Sequence, residues 1–323
     1  MKLILIGGVF LILLVTAFII LVLTSGGQEK PPGNPALPQG FQEAPLVEAN
    51  INAYVYLRQD EPFTLDTGLF GQPEILPGLP QHAEVDGLSL FVGGHISTFG
   101  GIVEFSPGEG VENIASRSDG HTFVSSQPGS DTDLLLFQSD NTWADILEFS
   151  AVSDNAVSLD DRYPETWELM GWLPASPPSK PIAAGFLRPQ SSILELSSTR
   201  AGINMRGLDQ ALGFFRLGDM AFGVYSDDPL DVPKRVNLGF LSGSGVSALL
   251  VARSGYPGWI VSLAMSVMGG RVDLDKVKVG DTTFRYRDID GLHLFLHRKG
   301  SVLFAAVSTD RPAAEALIQS VAD

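Results

Sequence analysis

The chain has 323 residues, 44% of them hydrophobic, which is enough for two ordinary domains with filled cores and excludes general disorder. Its formal charge of −16, from 37 acidic and 21 basic side chains, excludes a nucleic-acid binder, because such proteins need a basic face. The absence of cysteine excludes disulfides, thiolate zinc sites, cysteine nucleophiles and a lipidated N-terminal cysteine.

From Leu3 to Thr24 no residue is charged, and these 22 residues would span about 33 Å as a helix, the thickness of a bilayer core. The spacing predicts a single-pass transmembrane helix over residues 3–24 that contacts the lipid bilayer. A signal peptide has a shorter apolar region, about 7 to 15 residues, and a small-residue cleavage site, of which LTSGG is a poor example, so an uncleaved signal anchor is favoured over cleavage. Lys2 and the amino terminus precede the helix, and Glu29 and Lys30 follow it. The positive-inside rule then places the N-terminus inside and the C-terminal domains outside the cytoplasm.

Residues 25–45 open with SGGQEKPPGNPALPQG and read as a Pro/Gly-rich tether. A second break, at 174–180 within PASPPSKP, divides an acidic domain over 46–173 from a second domain over 181–323. Residues 46–173 hold 21 Asp and Glu against Arg58, Arg117 and Arg162, whereas residues 174–323 hold 14 acidic and 16 basic side chains. The acidity therefore belongs to the first domain. It serves solubility, or it offers a face for a cationic partner or Ca²⁺, or it docks on the basic stretches Lys276/Lys278, Arg285/Arg287 and Arg298/Lys299. Residues two apart share a face of a strand, so each of the first two pairs presents one basic surface.

Four segments repeat one order, a short apolar strand followed by a turn and an amphipathic run: GGIVEFSPGEGVENIAS from 100, DLLLFQSDNTWADILEFS from 133, ALLVARSGYPGWIVSLAMS from 248 and LFAAVSTDRPAAEALIQS from 303. Polar residues at the turn suit a helix cap, and Pro312 suits the first turn of a helix. In the last segment Ala313, Leu317 and Val321, with Ile318 beside them, mark one packed helix face. VDGLSLFVGG at 85–94 echoes IDGLHLFLHRKG at 289–300. These patterns predict an α+β fold: two related domains of antiparallel sheet with helices packed on one face, following the N-terminal transmembrane helix.

His293 and His297 are four apart, as in zincins, but Leu294 stands where that motif needs Glu. Leu292, Leu294 and Leu296 alternate with His293, Phe295 and His297, which is the period of a strand, with HRKGS as a turn. Four residues of strand cover about 13 Å, too far for one ion to bridge, and the two histidines are placed on the solvent-leaning or second face of the strand. His82, His95 and His121 show no ligand spacing. GSGVSA at 243–248 precedes its strand, so it is a turn and presents no helix N-terminus to a phosphate; Ser244 lacks the glycine of a nucleophile elbow. Asp131 and Asp133, and Asp227, Asp228 and Asp231, are weak Ca²⁺ candidates without the twelve-residue loop; turns and caps account for them, as for the DLD at 273–275. Trp143, Trp167, Trp172 and Trp259 fit core packing. No catalytic residue and no cofactor site emerge.

LGDMAFGVYSD at 217–227, SALLVARSGYPGWIVSLAM at 247–265 and the segment from Asp290 to Val321 resemble bacterial membrane-anchored extracytoplasmic proteins with repeated strand-strand-helix units, a group with no assigned activity. The resemblance rests on packing patterns, covers most of the second domain and little of the first, and carries no catalytic residues across. The expectation is a non-enzymatic, membrane-tethered binding or scaffolding protein with a protein partner outside the cytoplasm. Lys276, Lys278, Arg285, Arg287, Arg298 and Lys299 are its candidate interaction surface. The alternatives are an extracytoplasmic hydrolase with an interdomain metal or carboxylate site, and an accessory subunit whose helix packs in a membrane complex, for which Gly7 and Gly8 offer a small-residue patch without GxxxG.

Overall fold

The computed structural model describes residues 46–47, 51–66, 82–93, 99–105, 122–126, 133–138, 157–174, 181–188, 217–226, 246–254, 274–289, 291–299 and 301–322. The expected transmembrane helix, most of the tether and residues 175–180 of the linker lie outside them, and no described helix is long and apolar enough to cross a membrane.

In chain order the elements are β1 (Leu46–Val47), β2 (Ile51–Asp66), β3 (His82–Gly93), β4 (Phe99–Phe105), β5 (Thr122–Ser126), β6 (Asp133–Gln138), β7 (Val157–Ser158), α1 (Leu159–Arg162) and α2 (Pro164–Met170). There follow β8 (Pro181–Leu187), β9 (Leu217–Tyr225), β10 (Ser247–Ser254), β11 (Asp275–Val279), β12 (Thr282–Ile289), β13 (Leu292–Lys299), β14 (Val302–Ser308) and α3 (Arg311–Ala322). The small β1 pairs with β7, and the other twelve strands form one sheet in the order β11-β12-β13-β14-β10-β9-β8-β2-β3-β4-β6-β5. Among the described residues every pairing is antiparallel, and the order ends on β11 and β5 without closing.

The expected antiparallel sheet is present, with few helices among the described residues and with one further difference. One sheet per domain was anticipated, yet β2 pairs directly with β8, Tyr54 against Phe186, so strands on both sides of the Pro-rich break share a single sheet. The two sides use the same plan. Each begins at this seam, runs three strands outward (β2-β3-β4 and β8-β9-β10), and later returns a strand to the third (β6 on β4, β14 on β10).

The strand interiors follow from their residues. β10 and β14, SALLVARS and VLFAAVS, are nearly continuous apolar runs because both of their faces are buried. Two residues separate each strand from the next from β11 through β14. Gly280 (φ 58) and Gly291 (φ 85) supply the positive φ that two-residue hairpins need, and the Asp288 carboxylate accepts the Gly291 N–H at 2.8 Å.

The described helices lie on one face of the sheet. The α3 residues Ala314, Leu317, Ile318 and Val321 are buried with Phe284, Phe295, Phe304 and Ala306, while Leu169, Met170 and Trp172 at the end of α2 join Phe186, Ala221 and Tyr225. Ala314, rather than the expected Ala313, faces the sheet, and burying these aliphatic side chains contributes about 2 kcal/mol for each of the larger ones. Pro312 falls in the first turn of α3 as its missing donor requires, and the Asp310 carbonyl accepts the Ala314 N–H at 3.1 Å. Of the four recurrent segments, the strands at β4, β6, β10 and β14 are present. The last is followed by its helix, and the runs after the other three lie outside the described residues.

The echo of Asp-Gly-Leu takes two different local structures. Gly291 lies in the β12–β13 turn, and Asp290 lies outside the described residues. Asp86 and Gly87 lie inside β3, where the register jumps between Arg58 and Phe63 of β2, leaving Asp86 opposite a bulge.

Candidate functional site, a basic sheet face

The last hairpins of the sheet sort charge by face. Lys276 pairs with Arg285, Lys278 with Thr283, Arg285 with Leu296, Arg287 with Leu294 and Arg298 with Leu303. Cross-strand partners project to the same side, so Lys276, Lys278, Arg285, Arg287 and Arg298 share the face opposite α3. The acids of this region go elsewhere: Asp275 and Asp288 pair with Tyr286 and His293 on the α3 face, and Asp281 sits in a turn.

Spacings are short enough for the charges to act together. Directly opposed residues are about 5 Å apart between Cβ atoms, and residues two along a strand about 7 Å. Lys276 and Lys278 are exposed on the edge strand β11; Arg285, Arg287 and Arg298 are half-buried. Lys278 lies 3.7 Å from the fully exposed Asp281, an arrangement of small energetic weight. Lys276, Arg285 and Arg287 make no ion pair among the described residues. Partial burial draws the Arg298 guanidinium below its usual range, and Ile289 on the same face is an exposed large apolar side chain. Edge lysines also discourage edge-to-edge strand pairing, which accounts for Lys276 and Lys278 but not for Arg285 and Arg287 one strand further in.

Lys299 departs from the expected surface. It pairs with Val302 on the α3 face, with its ammonium 5.9 Å from the Trp172 ring. Of the six basic candidates the sheet thus gathers five. Among the Ca²⁺ candidates, Asp133 opens β6, paired with Phe105 and Ser126, while Asp131, Asp227, Asp228 and Asp231 lie outside the described residues. His95, His121, Trp143 and Trp259 also lie outside them; Trp167 and Trp172 are core residues. No cluster of three His, Asp or Glu that could hold a metal occurs among the described residues.

The two histidines of β13 are on the helix-covered face, so of the two placements expected for them the solvent-leaning one does not hold. His297 packs between Phe284 (5.1 Å) and Phe304 (6.2 Å), and burial, then the charges of Lys299 and Arg298, lower its pKa to about 4. It is a neutral, half-buried residue at neutral pH. His293 stacks on Tyr286, whose hydroxyl is 2.8 Å from Nδ1, with Asp288 at 3.6 Å. Arg311 of α3 covers the other ring at 4.7 Å and bonds Glu315 at 2.8 Å, so this cluster fastens the helix to the hairpin.

A second polar cluster went unread in the sequence. Thr166 of α2 donates to the Asp219 carboxylate, which Arg188 approaches at 3.2 Å while its guanidinium lies 4.1 Å over the Tyr163 ring. The Tyr163 hydroxyl accepts the Ile51 N–H at 2.9 Å. These contacts tie the helices to β2, β8 and β9 across the seam. Asp219 is the only charged residue of LGDMAFGVY, and a lone carboxylate in an apolar strand was the available signal.

No family model matches the chain, nor does any curated protein. Among solved structures it is similar to crystal form I of TP0453, at 13% identity over 85% of this chain and 96% of that one, with a TM-score of 0.37. Crystal form III of TP0453 matches at 14% identity over 84% and 96%, with a TM-score of 0.35. At these values the likeness carries nothing to the activity or architecture of this chain.

Proposed function

We propose that this chain is a non-enzymatic binding or scaffolding protein, tethered to the membrane by residues 3–24 with its sheet outside the cytoplasm, and that the basic face of β11–β13 is its contact surface. The observation that carries the reading is the sorting of Lys276, Lys278, Arg285, Arg287 and Arg298 onto one face while Asp275 and Asp288 go to the other. Solubility alone would intersperse both signs on the face that α3 leaves uncovered, whereas the described acids of these strands are not on it. Four cations at spacings of about 5 to 7 Å, with Arg298 diagonal to Arg285 at about 8 Å, fit an acidic polypeptide surface, for which they supply orientation and encounter rate.

Two measurements test this. The chain has no cysteine, so Asp281→Cys in the exposed β11–β12 turn gives a single thiol. A membrane-impermeant maleimide labels it in intact cells if the sheet is outside the cytoplasm, and only after permeabilisation if the reading is wrong. Full-length protein in neutral nanodiscs is then titrated with polyglutamate. Binding at about 0.1 M salt that is lost by about 1 M supports an electrostatic contact surface; no binding at low salt overturns it.

A further inference from the structure

We infer that the outer edge of β11 accepts an extended strand of a partner in which acidic and apolar residues alternate, so that the partner joins the sheet as one more antiparallel strand. The inference rests on the reading of the basic face as a contact surface, and names the partner's conformation and sequence pattern. Among the described residues the sheet order ends on β11, and Asp275–Val279 pair on one side only, with β12. A strand with one side unpaired is a template for another. Register decides which groups face outward. Val279 and Thr282 flank the two-residue turn of Gly280 and Asp281, and in such a hairpin the flanking pair exchanges both backbone bonds. Bonded and non-bonded pairs alternate, so Val277 also bonds Phe284, whereas the N–H and C=O groups of Lys276 and Lys278 point away from β12.

The two lysines that offer the outward backbone groups also carry their ammonium groups exposed on the basic face. Residues of an incoming strand directly opposite Lys276 and Lys278 exchange backbone bonds with them at Cα separations of about 5.5 Å, and project their side chains to that same face. Acids fit these two positions, against which the exposed Asp281 near Lys278 is a weak competitor. The residue between them falls opposite Val277 on the α3 face, where Val277 and Val279 pack against the core but stay only partly covered. An apolar side chain completes their burial. In-register pairing of β11 with a second copy of itself sets lysine opposite lysine, and an apolar strand leaves both ammonium groups uncompensated. The lysines that reject those strands select the order acid, apolar, acid.

The test is fluorescence anisotropy of capped, labelled peptides with the full-length protein in neutral nanodiscs at about 0.1 M salt. Thr-Val-Glu-Val-Glu-Thr is expected to bind about tenfold more tightly than its isomer Thr-Val-Val-Glu-Glu-Thr, which has the same charge and composition. N-methylation of both glutamates removes the N–H groups that face β11 and is expected to weaken binding about tenfold. N-methylation of both valines, whose N–H groups face away, is expected to weaken it less than about twofold. The variant Lys276→Glu/Lys278→Glu should lose this peptide and take up Thr-Val-Lys-Val-Lys-Thr instead. Equal binding of the two isomers, equal effects of the two methylations, or the reverse preference between them each overturns antiparallel strand addition. If polyglutamate still binds in a salt-dependent way, the contact surface stands without it; absence of all binding at low salt removes both.

Discussion

Gly185 of β8 lies directly against the backbone carbonyl of Tyr54 in β2, with no room for a Cβ between them. The Phe222 ring closes the same space at 2.8 Å from where that Cβ would be. The β2–β8 seam that joins the two halves of the sheet is therefore built on a side chain that is missing.

Gly185→Ala is expected to cost about 3 kcal/mol, because a backbone carbonyl in a central pair cannot give way as a flexible side chain can. Gly218→Ala is the control: its Cβ would meet only the Arg253 carbonyl oxygen at an ordinary 3.6 Å. Urea unfolding followed by the fluorescence of the buried Trp167 and Trp172 reads both. Equal stability of the two variants would show that the seam is not closely packed.

Asp219→Asn should destabilise the protein by about 1–2 kcal/mol, since Arg188 loses its ion pair at the seam while Thr166 keeps an acceptor. Asp219 and Arg188 each keep about a quarter of their side-chain surface exposed, 27% and 28%, so solvent moderates the loss. A double-mutant cycle with Arg188→Met should return a coupling of about 1 kcal/mol, and additive effects would mean the pair contributes nothing.

The neutral His297 gives stability a defined acid limb. Its pKa falls from 6.5 in the unfolded chain to about 4 in the folded one, through burial first and then Lys299 and Arg298. Between those values the unfolded chain binds the proton and the folded chain does not. The contribution is full above the unfolded value and is lost as pH falls from about 6.5 toward 4. His297→Phe, placed between Phe284 and Phe304, should flatten this limb of the Tm against pH profile. An unchanged limb would assign it to other groups.

The sequence made legible what strand and helix periods encode. Leu292 to His297 alternate, so β13 could be drawn and a zinc site set aside. Pro312 and the spacing of Leu317 and Val321 placed α3. Parity along β11 and β12 put Lys276 with Lys278 and Arg285 with Arg287. Joining these pairs into one face, and sending Lys299 to the other, needed the register, which no local pattern states. The face of the histidines stayed open because alternation separates two faces without saying which one a helix covers, and Leu294 and Phe295 on opposite faces are equally buried. The seam was hidden for a different reason. Ile51 and Tyr163 meet across 112 residues, and Thr166 of α2, Arg188 just after β8 and Asp219 of β9 come from three separate parts of the chain.

The central claim, that one face of β11–β13 makes the contact, is tested most directly by two substitutions of equal charge on opposite faces. Arg285→Glu and Lys299→Glu each change the net charge by the same amount, but Arg285 is beside Lys276 on the basic face and Lys299 is near Trp172 under the other. In full-length protein titrated with polyglutamate, with folding checked by Tm, Arg285→Glu should weaken binding about tenfold and Lys299→Glu less than twofold. Equal losses from both would show that net charge, rather than this face, governs the interaction, and would contradict the account.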